Sequence, residues 1–237
     1  MKFHRFIIKN ADFSQSPFSL ADTELIHQIL NVLKLGVGEE CMLSDGARND
    51  VRCRIVSLSK KECVCEIIEK TYNANETGTH GVLYCSLLKK ELFELVVQKA
   101  TEVGISEIVP ITSRRTVRLG LPSGDRLTRI MKEASEQSGR GVVPILCDTY
   151  SFEDAILRAA DSNNVTFFYH PAGALFSDWK KENIIPKQAN IFIGPEGGWD
   201  NDEIHAAQEK NFSIISLGAT ILRAETAAII GSYLAIH

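Results

Sequence analysis

A chain of 237 residues, 44% hydrophobic and 24% charged, holds enough apolar material for a moderate domain and a small companion without disulfide staples. Its net charge of −4 excludes a uniformly basic nucleic-acid coat, though not a local basic face. No apolar run approaches the roughly 20 residues of a membrane-spanning helix, and residues 1–9 are too short and too charged for a signal peptide, so a cytoplasmic location is expected.

The first 70 or so residues read as short strands at 3–8, 40–43, 51–58 and 62–68, from alternation and β-branched content. One helix interrupts them. It opens around Asp22, carries Leu25, Ile29, Leu30 and Leu33 at helical spacing, and is ended by Gly36. Several short strands with one helix suggest a small β-barrel. The polar, aperiodic stretch 71–80 reads as a linker, dividing the chain into 1–72 and 73–237.

Beyond it, strands and helices alternate. Strands are expected at 82–87, 106–111, 144–147, 165–170, 189–193 and 214–217. Helices are expected at 92–101, 125–138, 152–160, 200–210 and 223–236. This pattern predicts a parallel α/β sheet. Between Pro110 and Arg140, seven cations (Arg114, Arg115, Arg118, Arg126, Arg129, Lys132 and Arg140) face Asp125, Glu133 and Glu136. That segment is either a solvated helix face or a phosphate-contacting surface. The six cysteines, Cys41, Cys53, Cys63, Cys65, Cys85 and Cys147, form no C-x-x-C pair. Cys63 and Cys65 share a strand face but lack the second pair a zinc site needs, so buried, reduced thiols are expected.

Two segments carry chemistry. In Ile191-Phe192-Ile193-Gly194-Pro195-Glu196-Gly197-Gly198-Trp199, an apolar strand runs into a loop with three glycines. Ligands of α/β sheets bind beyond the carboxyl ends of strands, and glycines let backbone groups approach them closely. A tight turn without a ligand would have the same spacing. No G-x-x-x-x-G-K-[ST] occurs, and no G-x-G-x-x-G follows the first strand. In Leu217-Gly218-Ala219-Thr220-Ile221-Leu222-Arg223-Ala224-Glu225-Thr226-Ala227, a second strand ends in Gly and gives way to a helix. Glu225 suits the positive end of that helix. Arg223 does not, which points to an electrostatic task elsewhere.

In order and spacing these two segments resemble the cofactor-binding end of SPOUT methyltransferases, specifically the RsmE family. His4-Arg5-Phe6 resembles that family's opening. Further resemblances are His27 with Val32-Leu33-Lys34 and Gly38; Lys99-Ala100-Thr101-Glu102-Val103-Gly104; and Glu133-Ala134 with Gln137-Ser138-Gly139-Arg140 and Pro144. Lys34 stands where the family usually has Arg, keeping charge but losing a bidentate fork, and Val103 replaces a Leu.

The resemblance implies a C-terminal SPOUT α/β domain with a trefoil knot, preceded by a small PUA-like β-barrel that binds RNA. It implies S-adenosyl-L-methionine as cofactor and a homodimer, with no metal and no membrane. The reaction would be methylation of N3 of a specific uridine, uracil 1498, in 16S ribosomal RNA of the small subunit. N3 lies on the pairing edge and carries a proton, so the base must be unpaired or flipped, and deprotonated. Cofactor-binding residues would be Gly194, Pro195, Glu196, Gly197, Gly198, Leu217, Gly218, Ile221, Leu222, Thr226 and Ala227. Arg223 and Glu225 would be catalytic, with Arg114 and Arg140 as alternative cations. RNA contacts would come from Arg5, Lys34, Arg114 and Arg140, with Arg52 and Arg54 as further candidates, while His4 and His27 are structural. The rival readings are a SPOUT enzyme acting on tRNA or a ribose hydroxyl, a non-catalytic RNA-binding factor, and a nucleotide enzyme using the glycine loop for phosphate.

Overall fold

The computed structural model describes residues 3–9, 11–117, 122–162 and 164–237. The chain divides into two compact units: residues 1–76 with 135–142, and residues 77–134 with 143–237. Arg118 lies outside the described residues.

The first unit is built on strands β1 (His4–Ile7), β2 (Phe18–Leu20), β3 (Glu40–Ser44), β4 (Asn49–Leu58) and β5 (Cys63–Tyr72). They form one sheet in the order β1-β3-β4-β5-β2, antiparallel except where β1 lies parallel to β3. Alternate residues Cys41 and Leu43, then Val51, Cys53 and Ile55, point into a core shared with Phe6, Leu25, Ile26 and Ile29. The period of two that marks these strands in sequence is therefore the burial pattern itself.

Helix α1 (Thr23–His27) is capped by Asp22, whose carboxylate accepts the N–H groups of Glu24 and Leu25. The expected long helix does not continue. Gln28–Val32 widens into a π-helical turn, with the Leu33 N–H donating to the Gln28 carbonyl at 2.9 Å. The chain then leaves through Lys34 at φ 54, so Lys34, not Gly36, takes the left-handed position.

The stretch 71–80 is not a loose linker. Thr71 and Tyr72 complete β5, and the buried Asn73 side chain donates to Asp50 at 2.9 Å and to the Gly139 carbonyl at 3.1 Å. The Glu76 carboxylate receives Arg140 at 2.8 Å and the N–H groups of Gly141 and Val142. Residues 73–76 thus belong to the first unit together with 135–142, a grouping no single cut in the chain reproduces.

The second unit contains β6 (His80–Ser86), α2 (Lys90–Val103), β7 (Glu107–Thr112), most of α3 (Gly124–Ser138), β8 (Ile145–Leu146), β9 (Tyr150–Ser151) and α4 (Phe152–Asp161). It continues through β10 (Val165–Leu175), α5 (Phe176–Glu182), β11 (Gln188–Ile193), α6 (Asn201–Glu209), β12 (Ser213–Ser216) and α7 (Ala224–Ile236). The sheet order is β12-β10-β11-β6-β7-β8, with β9 also on β7, and every pairing is parallel.

Both faces of this sheet are covered, which is why its strands read as near-continuous apolar runs. Leu83, Cys85, Ile191 and Ile193 pack with α2, α3 and α7 on one face. Tyr84, Val109 and Phe192 pack with α4 and α6 on the other. The one polar interior residue of β11, Asn190, satisfies its amide with the Ala159 carbonyl and the hydroxyls of Ser162 and Thr166.

Five of the six cysteines are buried, and burial pushes the Cys53 and Cys85 thiols up to about 12. Cys63 and Cys65 lie with their Sγ atoms 3.7 Å apart inside the first core. Among the described residues, no group of three or more His, Cys, Asp or Glu is placed to hold a metal ion. No helix among them is long and apolar enough to cross a membrane.

Candidate active site

The site begins with β11. Its apolar side chains lock the strand between two layers, so Gly194 emerges at a fixed place on the carboxyl edge of the sheet. The turn closes through the Gly198 N–H donating to the Pro195 carbonyl at 2.9 Å, with Gly198 at φ +69, a conformation that favours glycine. A Cβ at Gly194 would stand 3.0 Å from the indole of Trp199, so the loop folds back tightly over that ring. Trp199 is the anchor. It stacks on Phe168 with centroids 4.5 Å apart, and its Nε1 donates to the Tyr169 carbonyl at 3.1 Å.

The loop is held at its far end by a capping box on α6. The Asp200 side chain accepts from the Asp202 N–H, and Glu203 accepts from the Asp200 N–H at 2.7 Å. Glu203, buried, also accepts the Arg114 N–H at 2.9 Å. Neighbouring loops are stitched in as well. The Lys89 N–H donates to Glu196 at 3.3 Å, and the Arg115 guanidinium donates to the Gly197 carbonyl at 3.3 Å and to Asp200 at 3.2 Å.

Opposite this loop, β12 ends at Ser216, and the chain passes through Leu217 to Arg223, the N-cap of α7. Together the two segments enclose a cavity of about 560 Å³, within the range that holds a small-molecule ligand. Gly194 to Gly198 form one wall, and Leu217, Ile221, Leu222 and Ala227 the other, so most of the expected cofactor residues meet here. Two do not. Gly218 turns the chain behind Leu217 at φ +144, and Thr226, one step on from Glu225 around α7, does not reach the cavity.

Both expected catalytic residues line the cavity. Arg223 is exposed at its edge, and among the described residues no side-chain capping bond or ion pair holds it. Glu225 is only 8% exposed, and no cation or hydrogen-bond donor engages its carboxylate among the described residues. A carboxylate on the cavity wall without a charge partner can meet a cationic ligand directly.

The basic residues are mostly paired with acids, and one of them, Arg140, is out of reach. Arg140 is buried, with 5% of its side chain exposed, and is ion-paired with Glu76, so neither a phosphate nor a reacting base can reach it. Arg5 is forked onto Asp50 at 2.6 and 2.9 Å. Arg52 and Arg54 share Glu40, and Arg126 is forked onto Glu94. Arg114 pairs with Asp200 and Asp202 and does not line the cavity. Much of the basic run is thus ion-paired at home. Lys34 remains exposed.

Lys89, Arg115, Tyr169, His170 and Pro171 also line the cavity, and no motif in the sequence marks them as part of a site. The last lies within β10, which continues past a proline through a register irregularity between Tyr169 and Ala174. Arg115 was visible only as one cation among seven.

A doubly covered parallel sheet with a ligand-sized cavity between two loops at its carboxyl edge is the architecture of an α/β protein with a small-molecule site, and sequence comparison gives its class, the RNA methyltransferases. The family model for the RNA methyltransferase domain matches residues 75–235, and that for the RNA methyltransferase PUA domain matches residues 21–68. Ribosomal RNA small subunit methyltransferase E of Bacillus subtilis is 31% identical, over 89% of this chain and 86% of its own. The Rickettsia conorii protein of that name is 30% identical, over 97% and 93%. The chain belongs to the ribosomal RNA small subunit methyltransferase E family, the RsmE family of the motifs above.

Two solved structures extend the likeness. The Neisseria gonorrhoeae methyltransferase E bound to S-adenosyl methionine superposes with a TM-score of 0.85 at 26% identity, covering 98% of this chain and 95% of that one. A Legionella pneumophila methyltransferase in complex with its bound cofactor SAM gives 0.86 at 25%, covering 100% and 97%.

Proposed function

We propose that this protein transfers a methyl group from S-adenosyl-L-methionine to N3 of a single uridine, uracil 1498, of 16S ribosomal RNA in the small ribosomal subunit. The observation that carries this reading is the meeting of the Gly194–Gly198 loop and the Leu217–Ala227 segment in one cavity with an unpartnered, buried Glu225. S-adenosyl-L-methionine, when bound, supplies an electrophilic methyl on a positively charged sulfur. The residues present fit such a group. Gly194, Gly197 and Gly198 would let backbone lie against it, Leu217, Ile221, Leu222 and Ala227 would enclose its apolar surface, and Glu225 would offset its positive charge.

Arg223 has the complementary task. Uracil N3 must lose its proton, leaving negative charge on the flanking oxygens, and an unpaired guanidinium at the cavity edge stabilises that charge. The remaining contribution is positioning, because a displacement reaction gains most from holding its partners in line. Lys34, in a first unit read as the RNA-binding PUA-like barrel, is the candidate phosphate contact. We further propose a trefoil knot around the two cavity loops, a homodimer, and action in the cytoplasm.

Competition for labelled S-adenosyl-L-methionine tests the cofactor, and the fate of the label tests the RNA. S-adenosylhomocysteine should displace the label and ATP should not. The methyl group should enter small-subunit RNA and leave tRNA untouched. Displacement by ATP alone would favour a phosphate-binding loop, and label in tRNA would reassign the substrate.

A further inference from the structure

We propose that Arg115 is a positioning residue for the cofactor loop: its guanidinium bridges the Gly197 carbonyl and the Asp200 carboxylate, fixing the Gly194–Gly198 wall in its ligand-receiving shape. This rests on the cavity being the cofactor site, and it assigns a part to a residue that no motif singles out.

Three independent contacts support it. Nη1 donates to the Gly197 carbonyl at 3.3 Å, and Nη2 donates to Asp200 at 3.2 Å. The third is steric: a Cβ on Gly197 would come within 3.3 Å of the Arg115 Cβ, so the loop backbone rests directly on the base of this side chain. Gly197 and Asp200 flank Gly198 and Trp199, so one guanidinium spans the turn. The Asp200 carboxyl lies below the usual carboxylate range through the Asp202 N–H first, then through Arg115 and Arg114, and so stays ionised to receive the fork.

The chemistry requires arginine. A planar guanidinium offers two donors in fixed directions, one for a carbonyl and one for a carboxylate. A lysine ammonium is a single point charge on a flexible stem. Arg114, the adjacent residue, does different work. It binds Asp200 and Asp202 at the start of α6, its N–H reaches Glu203, and it stays out of the cavity. Without Arg115, among the described residues, the loop keeps the Glu196–Lys89 bond, its own turn and the packing of Gly194 on Trp199. A loop that spends less time in the competent shape binds its ligand in proportion to that fraction.

The test compares full-length wild type with Arg115→Ala, Arg115→Lys and Arg114→Ala by two measurements. In calorimetric titration with S-adenosylhomocysteine, Arg115→Ala should weaken binding on the order of tenfold, Arg115→Lys should fail to restore it, and Arg114→Ala should stay near wild type. Adding Asp200→Asn to Arg115→Ala should cost little more in affinity, since the Arg115–Asp200 bond is already gone and an asparagine still caps α6. In amide hydrogen exchange, Arg115→Ala should expose the Gly198 N–H selectively, with the melting temperature held. Wild-type affinity and wild-type Gly198 protection in Arg115→Ala would overturn the proposal. So would unchanged affinity with a raised KM for RNA, which would make Arg115 a substrate contact. Failure of the wild-type protein to bind S-adenosylhomocysteine would instead remove the cofactor reading, and the exchange measurement would still decide whether Arg115 holds the loop.

Discussion

Arg223 occupies the wrong end of a helix for a cation. The partial positive charge at the start of α7 repels it, while Glu225, in the first turn, is favoured there. No ion pair offsets the repulsion among the described residues, so Arg223 contributes little to stability and stands open at the cavity edge. Arg223→Ala should lower methyl transfer by about 10²-fold or more. Its unfolding free energy in urea should stay within about 0.5 kcal/mol of wild type. A variant with full activity would take Arg223 out of the site.

Arg140 behaves in the opposite way. Its charge is buried against Glu76, which also holds two backbone N–H groups. Glu76→Gln should destabilise the first unit by about 3–5 kcal/mol, read from the urea midpoint, because it removes the carboxylate charge that faces a buried guanidinium. In sequence the two arginines look alike. Only burial separates them, and burial at Arg140 depends on a partner 64 residues away.

At the scale of elements, the cavity depends on what lies under its loop. Trp199 fills the space between Phe152 and Phe168 and fixes Tyr169 through its indole N–H. Trp199→Ala should cost about 3–5 kcal/mol and weaken S-adenosylhomocysteine binding as well, because it removes the floor of the loop. Thermal unfolding together with calorimetry would check both, and a destabilised variant with wild-type affinity would separate loop from floor.

On the far side of the sheet, burial alone would raise the Glu107 carboxyl. Hydrogen bonds from His80 at 3.0 Å and Arg158 at 2.6 Å reverse this and hold it below the usual range. A depressed folded-state value contributes stability above the unfolded value of about 4.3, and that stability is lost as pH falls through the folded value. Glu107→Gln should therefore be less stable than wild type at pH 7, with the difference shrinking below about pH 4. A difference that persisted unchanged into acid would contradict the ion pair.

The long elements were legible for physical reasons. Strands buried on both faces are apolar throughout, and strands of the first unit alternate. The elements that escaped notice are short or locally irregular. β2 and β9 hold three and two residues, too few for any period to show. The π-helical turn after α1 keeps an apolar spacing close to that of an α-helix. β10 continues beyond Pro171, where proline argues for an end, because the register shift leaves that residue out of the ladder.

For the whole molecule, the glycine loop and the Arg223–Glu225 segment are separated by two elements in sequence and meet because β11 and β12 flank β10 in one parallel sheet. Their motifs could be read in the chain, but their convergence required the strand order. The grouping of residues 135–142 with the first unit was likewise beyond any linear reading, since it rests on Asn73 and Glu76 finding Gly139 and Arg140. Family membership gives the class of reaction, methyl transfer to ribosomal RNA of the small subunit, and the product nucleoside identifies the atom that receives the methyl.

That test is direct. Small ribosomal subunits lacking the modification are incubated with the protein and labelled S-adenosyl-L-methionine, and their RNA is digested to nucleosides for mass spectrometry. The account predicts labelled 3-methyluridine, in one fragment of 16S RNA, dependent on Arg223. Label on a ribose hydroxyl or on another base, or no label from a protein that binds the cofactor, would contradict it.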